Sequence, residues 1–365
     1  MIKLSFPPQR PSRPISGLTT WIDMIEHRWG LPINLLLTHP TPLREKITHR
    51  YGNHYRAVSQ LVKYDNLLLR TVTMQTLIET RDGRKLDVLI SGDEKSKFAL
   101  VCHHGTPSDA TIWVDWAEDA LMHNLRLVSI SRPGYATSDR KTGRLVSDVA
   151  EDVIDVLDEI GIDKFVTIGW SGGGPHALAC AALIPSRCIA ASILAGVGPH
   201  GEPDLDSISD MGPENIEHKK ITLQGEAALR EWAEVNATPW ITIADKELAE
   251  ALGGLVPEID VIALNEQGQA KIWASSIRRA LKNSIDGYID DSLLFCEDWG
   301  FRPENIRIPV TIWQGDLDLM VPFKHAEWLI KHIPNARAKL EYGHGHISLI
   351  AEKKNDIIDD LLSYL

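Results

Sequence analysis

Short apolar runs alternate with stretches of helical periodicity from residue 74 onward. The run Phe98–Cys102 is continuously apolar, as expected for a strand that is buried on both faces of a sheet. Residues 77–80 and 86–90 predict two more strands, joined by a turn at Asp82 and Gly83. The other predicted strands are Leu125–Ile130, Phe165–Ile168, Ile189–Leu194, Val310–Trp313 and Ala338–Tyr342. Strands that alternate with helices are joined by crossovers, so the pattern predicts an α/β fold with a mostly parallel, doubly wound sheet.

The interval 197–302 interrupts this alternation. It predicts helices near residues 223–234, 246–252 and 271–283, and it contains no convincing strand. It is also rich in large aromatic residues, which are Trp232, Trp240, Trp273, Tyr288, Phe295 and Trp299. A helical insertion between two strands of a sheet is typical of a lid over a pocket. The alternative is a helical subdomain whose tryptophans form only its own core.

Four segments follow from these patterns. The first is an N-terminal extension over residues 1–73, rich in proline and partly helical, with helices expected at 21–26 and from 45 to about 69. The remaining segments are the first part of the α/β core (74–196), the helical lid (197–302) and the second part of the core (303–365).

Composition and charge narrow the functional classes. Of the 365 residues, 44% are hydrophobic and 24% are charged, which is close to the average of soluble globular proteins. The net charge of −12 argues against a nucleic-acid partner and against an anionic membrane surface. No apolar stretch approaches the ~20 residues that span a bilayer, and the N-terminus lacks the apolar region of a secretory signal. The four cysteines lack the spacing of a zinc site, so we expect free thiols in a cytoplasmic protein.

A G-x-S-x-G motif lies between a predicted strand and a predicted helix, at residues 169–173. A serine hydroxyl attacks a carbonyl only when it is exposed, oriented and deprotonated by a neighbouring group. A sharp strand-to-helix turn exposes the serine, and the small residues Gly169 and Gly173 allow the backbone to pass close to itself. The motif therefore predicts that Ser171 is a nucleophile. The alternative is a tight turn without chemistry.

These residues resemble the nucleophile elbow of the α/β-hydrolase fold family, and the resemblance covers the chain from about Met74 to the C-terminus. The segment 103–107, His-His-Gly-Thr-Pro, is similar to the HGxP loop that follows the third strand in this family. The resemblance implies that the backbone N–H groups of Thr106 and Gly172 form an oxyanion hole. Residues 131–138 are similar to the family's RPGYGxS turn, with alanine in place of one glycine.

The acid of the family follows the serine along the chain, after a later strand. Residues 311–322 resemble the family's strand-G-x-x-D-x-x-V-P segment, in which the last aspartate is the acid. That position is Asp318 in this sequence. Asp316, in the same loop, is the alternative.

The base of the family belongs to a Gly-His pair that opens the final helix. Gly345 and His346 fit this pattern because they lead directly into a helix predicted over residues 347–362. A second Gly-His pair precedes it by two residues, which makes His344 the alternative base.

The resemblance thus implies a serine hydrolase with the triad Ser171, Asp318 and His346. We expect it to cleave a carboxylic ester or lactone of a small to medium apolar substrate through an acyl-enzyme. This chemistry needs no metal or organic cofactor, and its partner is a small-molecule substrate. The oligomeric state does not follow from the sequence. The residues expected to contact the substrate are His104, Trp170, Trp232 and Trp240.

Other functions use the same triad or the same fold. A proline-type aminopeptidase would need acidic lid residues such as Glu226, Glu231 or Glu234 to bind the substrate's ammonium group. A hydrolase of carbon–carbon bonds is a further alternative, as is a cofactor-free peroxidase side activity. A ligand receptor with little turnover is the alternative from another class.

Overall fold

An eight-stranded sheet lies at the centre of the computed structural model, which describes residues 73–266 and 268–365. The strands are β1 (Met74–Glu79), β2 (Lys85–Gly92), β3 (Phe98–His103), β4 (Arg126–Ile130), β5 (Lys164–Trp170), β6 (Cys188–Leu194), β7 (Val310–Gly315) and β8 (Arg337–Glu341). Their spatial order is β1-β2-β4-β3-β5-β6-β7-β8. The pairs β1–β2 and β2–β4 are antiparallel, and all later neighbours are parallel. Every predicted strand is present, so the predicted fold class is confirmed. The predicted N-terminal extension lies outside the described residues, apart from Thr73.

Helices cover both faces of the sheet and form a large part of the insertion. They are α1 (Ala117–Met122), α2 (Val149–Glu159), α3 (Gly174–Leu183), α4 (Pro213–Thr222), α5 (Glu226–Asn236), α6 (Leu248–Leu252), α7 (Glu258–Glu266), α8 (Gln269–Leu281), α9 (Asp286–Leu294), α10 (Phe323–His332), α11 (Ser348–Glu352) and α12 (Lys354–Leu362). Among the described residues, none of these helices has the length and apolar character needed to cross a membrane.

The continuous apolar runs arise because both faces of the sheet are buried. In β3, Ala99 and Val101 pack in a core with helices α2, α3 and α10. The alternate residues Leu100 and Cys102 pack in a second core on the opposite face, with α1 and α12. Since successive side chains of a strand point to opposite faces, every position of such a strand must be apolar.

The insertion over residues 197–302 has no strand among its described residues and carries helices α4 to α9. The three helices predicted there correspond to α5, α6 and α8. Helices α4, α7 and α9 were missed because their polar and apolar residues do not separate onto two faces. In α9, for example, Asp290 and Asp291 are both buried. A buried carboxylate breaks the apolar periodicity on which such predictions depend.

The final helix also differs from the prediction. A single helix was expected over residues 347–362, but the structure has two, α11 and α12. The backbone leaves the helical region at Lys353, where φ is −100° and ψ is 8°.

Candidate active site

The predicted nucleophile lies in a strained turn at the carboxyl end of β5. Ser171 has a φ of +56°, in the left-handed region that non-glycine residues rarely adopt. It begins a single 3₁₀ turn that leads into α3. The turn is tight: a Cβ on Gly169 would lie 2.3 Å from the carbonyl oxygen of Gly173, and a Cβ on Gly173 would lie 2.1 Å from that of His103. Both motif glycines are therefore required by the backbone around Ser171.

A buried carboxylate and a buried imidazole meet beside this turn. Nδ1 of His346 lies 2.7 Å from Oδ2 of Asp318, and both side chains are almost completely buried. Oδ1 of Asp318 accepts hydrogen bonds from the backbone N–H groups of Met320 (2.9 Å) and Val321 (2.8 Å), and Oδ2 accepts one from Nε2 of Gln314 (3.0 Å). These bonds fix the carboxylate, which in turn fixes the orientation of the imidazole.

The two alternative residues have other partners. Asp316 is exposed, and its Oδ1 accepts a hydrogen bond of 2.6 Å from the backbone N–H of Gly343. Nε2 of His344 lies 3.3 Å from a carboxylate oxygen of Glu352. His346 lines the cavity beside Ser171, whereas His344 does not. The geometry therefore favours the pair formed by Asp318 and His346.

A cavity of about 250 Å³ joins the serine to the insertion. Ser171, His346, Thr106 and Gly172 line it from the core. Among the residues that the insertion contributes are five large aromatic side chains, which are Trp232, Trp240, Trp273, Tyr288 and Phe295. Trp170, Trp232 and Trp240 are among the lining residues, and their contact with substrate stays a prediction. Trp170 also packs edge-on against Trp273, with their ring centroids 4.4 Å apart.

His104 does not lie where substrate contact was predicted. It is fully buried behind the loop, and it is not among the residues lining the cavity. Its Nδ1–H donates to the carbonyl oxygen of Gly105 (2.7 Å), and its Nε2 accepts from the backbone N–H of Arg132 (3.0 Å). Burial and the neighbouring Arg132 charge hold the pKa of His104 well below its usual value. The ring is therefore a neutral support of the loop, which corrects its assignment as a substrate-binding residue.

The two predicted oxyanion-hole residues are close neighbours. A Cβ on Gly172 would lie 2.5 Å from Oγ1 of Thr106. This Oγ1 donates a hydrogen bond of 2.6 Å to Asp291 of the insertion and accepts one of 2.9 Å from Nη2 of Arg132. The loop that carries Thr106 is thus hydrogen-bonded both to α9, through Asp291, and to the turn after β4, through Arg132.

Asp291 belongs to the cluster around Thr106, and no motif in the sequence marks it. It is fully buried and binds both Arg132 and Arg144. Burial raises its pKa, but the two guanidinium groups outweigh this effect and hold the pKa well below its usual range. Asp152 is likewise a buried aspartate, and it binds Arg84. No local pattern distinguishes these aspartates from exposed ones, because their partners are distant in sequence.

The end of the cavity formed by α4 is more polar than predicted. Glu214, Asn215, His218 and Lys219 all line it. Burial lowers the pKa of His218 to about 4, assisted by the charge of Lys219. Glu214 accepts a hydrogen bond of 3.1 Å from the backbone N–H of Gly254. The nearest acidic residue in sequence to Lys219 is Glu217, which accepts a hydrogen bond of 3.1 Å from the indole of Trp232.

The acidic residues suggested for an aminopeptidase do not line the cavity. Glu226 forms ion pairs with Arg140 (3.5 Å) and Arg230 (2.9 Å), while Glu231 and Glu234 are exposed. Within the described part of the chain, no group of three or more histidine, cysteine, aspartate or glutamate residues is arranged to hold a metal ion.

Comparison with known proteins agrees with the observed fold. A family model described as the α/β hydrolase fold matches residues 99–214. The 3-oxoadipate enol-lactonase 1 of Acinetobacter baylyi is 32% identical over 102 residues, which are 28% of this chain and 38% of the lactonase. The 2-hydroxy-6-oxononadienedioate/2-hydroxy-6-oxononatrienedioate hydrolase 1 of Dechloromonas aromatica is 28% identical over 274 residues, which are 73% of this chain and 86% of that hydrolase. The solved structure of an esterase from Exiguobacterium antarcticum matches with a TM-score of 0.57 at 21% identity, covering 80% of this chain and 99% of the esterase.

The fold and these matches identify the chain as a hydrolase with the α/β-hydrolase fold.

Proposed function

We propose that this protein is a serine hydrolase that cleaves a carboxylic ester or a lactone through an acyl-enzyme. The observation that carries the proposal is that Ser171, in its left-handed turn, and His346, whose imidazole is hydrogen-bonded to Asp318, line one cavity. A nucleophile, a base and an orienting acid are the groups that acyl transfer requires.

The reaction begins when Nε2 of His346 takes the hydroxyl proton of Ser171 and the serine oxygen attacks the substrate carbonyl. Asp318 stabilises the imidazolium that forms, and the N–H groups of Thr106 and Gly172 stabilise the oxyanion. The imidazolium then gives its proton to the leaving alkoxide as the carbon–oxygen bond breaks. A water molecule, deprotonated by His346, attacks the acyl-enzyme and releases the acid and the free serine.

The helical insertion acts as the lid of this site. Its aromatic side chains form a wall of the cavity, which favours small to medium substrates with an apolar acyl or ring portion. The four cysteines at positions 102, 180, 188 and 296 are free thiols, which fits the reducing environment of the cytoplasm.

A second candidate is a hydrolase of anionic substrates, including those in which a carbon–carbon bond is cleaved. Lys219 in the cavity wall favours it, because an ammonium group in a largely apolar cavity stabilises a carboxylate on the substrate. The name of the Dechloromonas aromatica relative specifies a dianionic substrate for that enzyme. Monomethyl esters of dicarboxylic acids, which keep one free carboxylate, separate the candidates when they are assayed beside neutral methyl esters of equal length. A Lys219→Met variant that loses activity on the anionic series alone supports the second.

A fluorophosphonate probe and a panel of p-nitrophenyl esters and lactones test the main proposal. We expect one label per chain, located on Ser171 by peptide mass spectrometry, and no hydrolysis by Ser171→Ala. His346→Ala should suppress labelling far more than the matched variant His344→Ala, because only His346 pairs with Asp318. Turnover near the wild-type rate in Ser171→Ala would refute the nucleophile. Labelling that depends on His344 would move the base to that residue.

A further inference from the structure

A carboxylate of the insertion binds the segment that carries His346. Asp260 lies in the first turn of α7 and is fully buried. Its Oδ2 accepts a hydrogen bond of 2.8 Å from the backbone N–H of His346. Its Oδ1 accepts three more, from the backbone N–H groups of Ile347 (3.1 Å) and Ser348 (2.8 Å) and from the hydroxyl of Ser348 (2.7 Å). All four donors belong to three consecutive residues, of which His346 and Ile347 precede α11 and Ser348 is its first residue.

The contact also accounts for the glycine that precedes the histidine. A Cβ on Gly345 would lie 2.4 to 2.6 Å from the carboxylate atoms of Asp260, so the carboxylate occupies the space of a side chain there. The backbone N–H of Gly345 donates to Oγ of Ser348 (2.8 Å), whose own hydroxyl donates to Asp260. The segment from Gly345 to Ser348 is thus tied to one carboxylate directly or through one hydroxyl.

Two acids therefore act on His346, from two different parts of the fold. Asp318, which follows β7 of the sheet, binds the imidazole and sets the orientation of the ring. Asp260, in the insertion, binds the backbone and sets the position from which the ring extends. Hydrogen bonds from N–H groups to an ionised carboxylate are stronger than those between neutral groups, and burial excludes the water that would compete for them.

We propose that Asp260 is a positioning residue for the catalytic base. Helix α7 would then support the active site as well as belong to the insertion that covers it. This inference rests on the proposed function, in which His346 is the base. It also implies that α7 cannot swing away from the core during substrate entry without releasing the segment that holds the base. A displacement of about 1 Å at a catalytic group can cost roughly a hundredfold in rate.

Asp260→Asn tests the proposal with little change in shape. The amide presents an NH₂ group in place of one oxygen, so at least one donor on the segment loses its acceptor. We expect kcat for p-nitrophenyl esters to fall by about 10- to 100-fold with KM within about twofold. The rate of fluorophosphonate labelling should fall by the same factor, because both reactions need the base. Ser348→Ala keeps the three backbone donors and should give a smaller loss in the same direction, which preserves the test if Asp260→Asn folds poorly.

Asp152→Asn is the matched control, because Asp152 is a buried carboxylate that binds Arg84 and takes no part in the site. It should lower the melting temperature while leaving kcat and the labelling rate within twofold of wild type. Asp260→Asn and Ser348→Ala proteins that lose stability but keep the wild-type kcat would show a purely structural anchor and overturn the proposal.

A spectroscopic readout separates this inference from the proposed function. The Nδ1 proton of His346, shared with Asp318, should give a low-field proton NMR signal that His346→Ala removes. Asp260→Asn should shift or broaden this signal, whereas Asp152→Asn should leave it unchanged. If the wild type hydrolyses no ester or lactone, the proposed function fails. In that case the NMR signal still tests the positioning of His346 by Asp260, because an unchanged signal in Asp260→Asn overturns that inference.

Discussion

Asp291 gives the sharpest prediction about how the insertion is attached to the core. Its carboxylate accepts hydrogen bonds from Arg132, Arg144, Tyr135 and Thr106, and the Nη2 atoms of the two arginines lie 2.6 and 2.5 Å from it. The substitution Asp291→Asn keeps the size of the side chain but removes its charge. Two guanidinium groups, each almost fully buried, then lose the carboxylate that both of them bind.

The expected loss of stability follows from this burial. Removal of one partner from a buried ion pair typically costs 3–5 kcal/mol, because the remaining charge is left uncompensated. Arg132 keeps the carbonyl oxygens of His104 and Gly105 as acceptors, which limits the loss on its side. We therefore expect about 4 kcal/mol, roughly a thousandfold in the folding equilibrium constant. The same change releases Oγ1 of Thr106, so kcat should fall as well, towards the ~10²-fold cost of losing an oxyanion donor.

Equilibrium denaturation in urea measures the first effect and ester hydrolysis well below the melting temperature measures the second. Asp290→Asn is the matched control, since Asp290 is adjacent in sequence and pairs with Arg140 at 2.7 Å. Arg140 is 27% exposed, so water can solvate it after the change and the cost should stay near 1 kcal/mol. Equal losses in the two variants, or a loss below about 1 kcal/mol in Asp291→Asn, would refute the reasoning.

Two further predictions concern the cavity. Trp232→Ala and Trp240→Ala should change the ranking of acyl chain lengths more than the melting temperature, because both side chains line the cavity and are only partly buried. Trp273→Ala, which removes a side chain only 5% exposed, should instead cost about 3–5 kcal/mol in stability, and a reversed pattern in denaturation and ester assays would contradict the assignment. Burial lowers the pKa of His325 to about 4, so the unfolded chain gains its proton first as the pH falls. The stability contributed by the neutral His325 should be complete above about pH 6.5 and should be lost as the pH falls towards 4. At pH 5 the free energy of unfolding should already have fallen by about 2 kcal/mol relative to its value above about pH 6.5. His325→Gln should flatten the stability–pH curve over this range.

The strands and the elbow were predictable because their causes are local. A strand buried on both faces needs an apolar residue at every position, as in Phe98–Cys102, and a tight strand-to-helix turn needs glycine where the backbone touches itself. Each of these requirements is met by residue types within a few consecutive positions, so it can be recognised in the sequence. The order of strands along the chain then brings the loops after β3, β5, β7 and β8 to one edge of the sheet, since the carboxyl ends of parallel strands lie together.

The sequence alone determined the α/β fold, the serine of the strand-to-helix turn and a short set of candidates for the acid and the base. Only the tertiary structure decided that Asp318 meets His346 while Asp316 faces solvent, although the two aspartates are separated by one residue. It also decided that Asp260 and Asp291 are buried against the segments carrying His346 and Thr106. The physical reason is that the burial of a carboxylate depends on donors and cations supplied from distant parts of the chain. An aspartate in a helix looks the same in sequence whether water or a buried arginine is its partner.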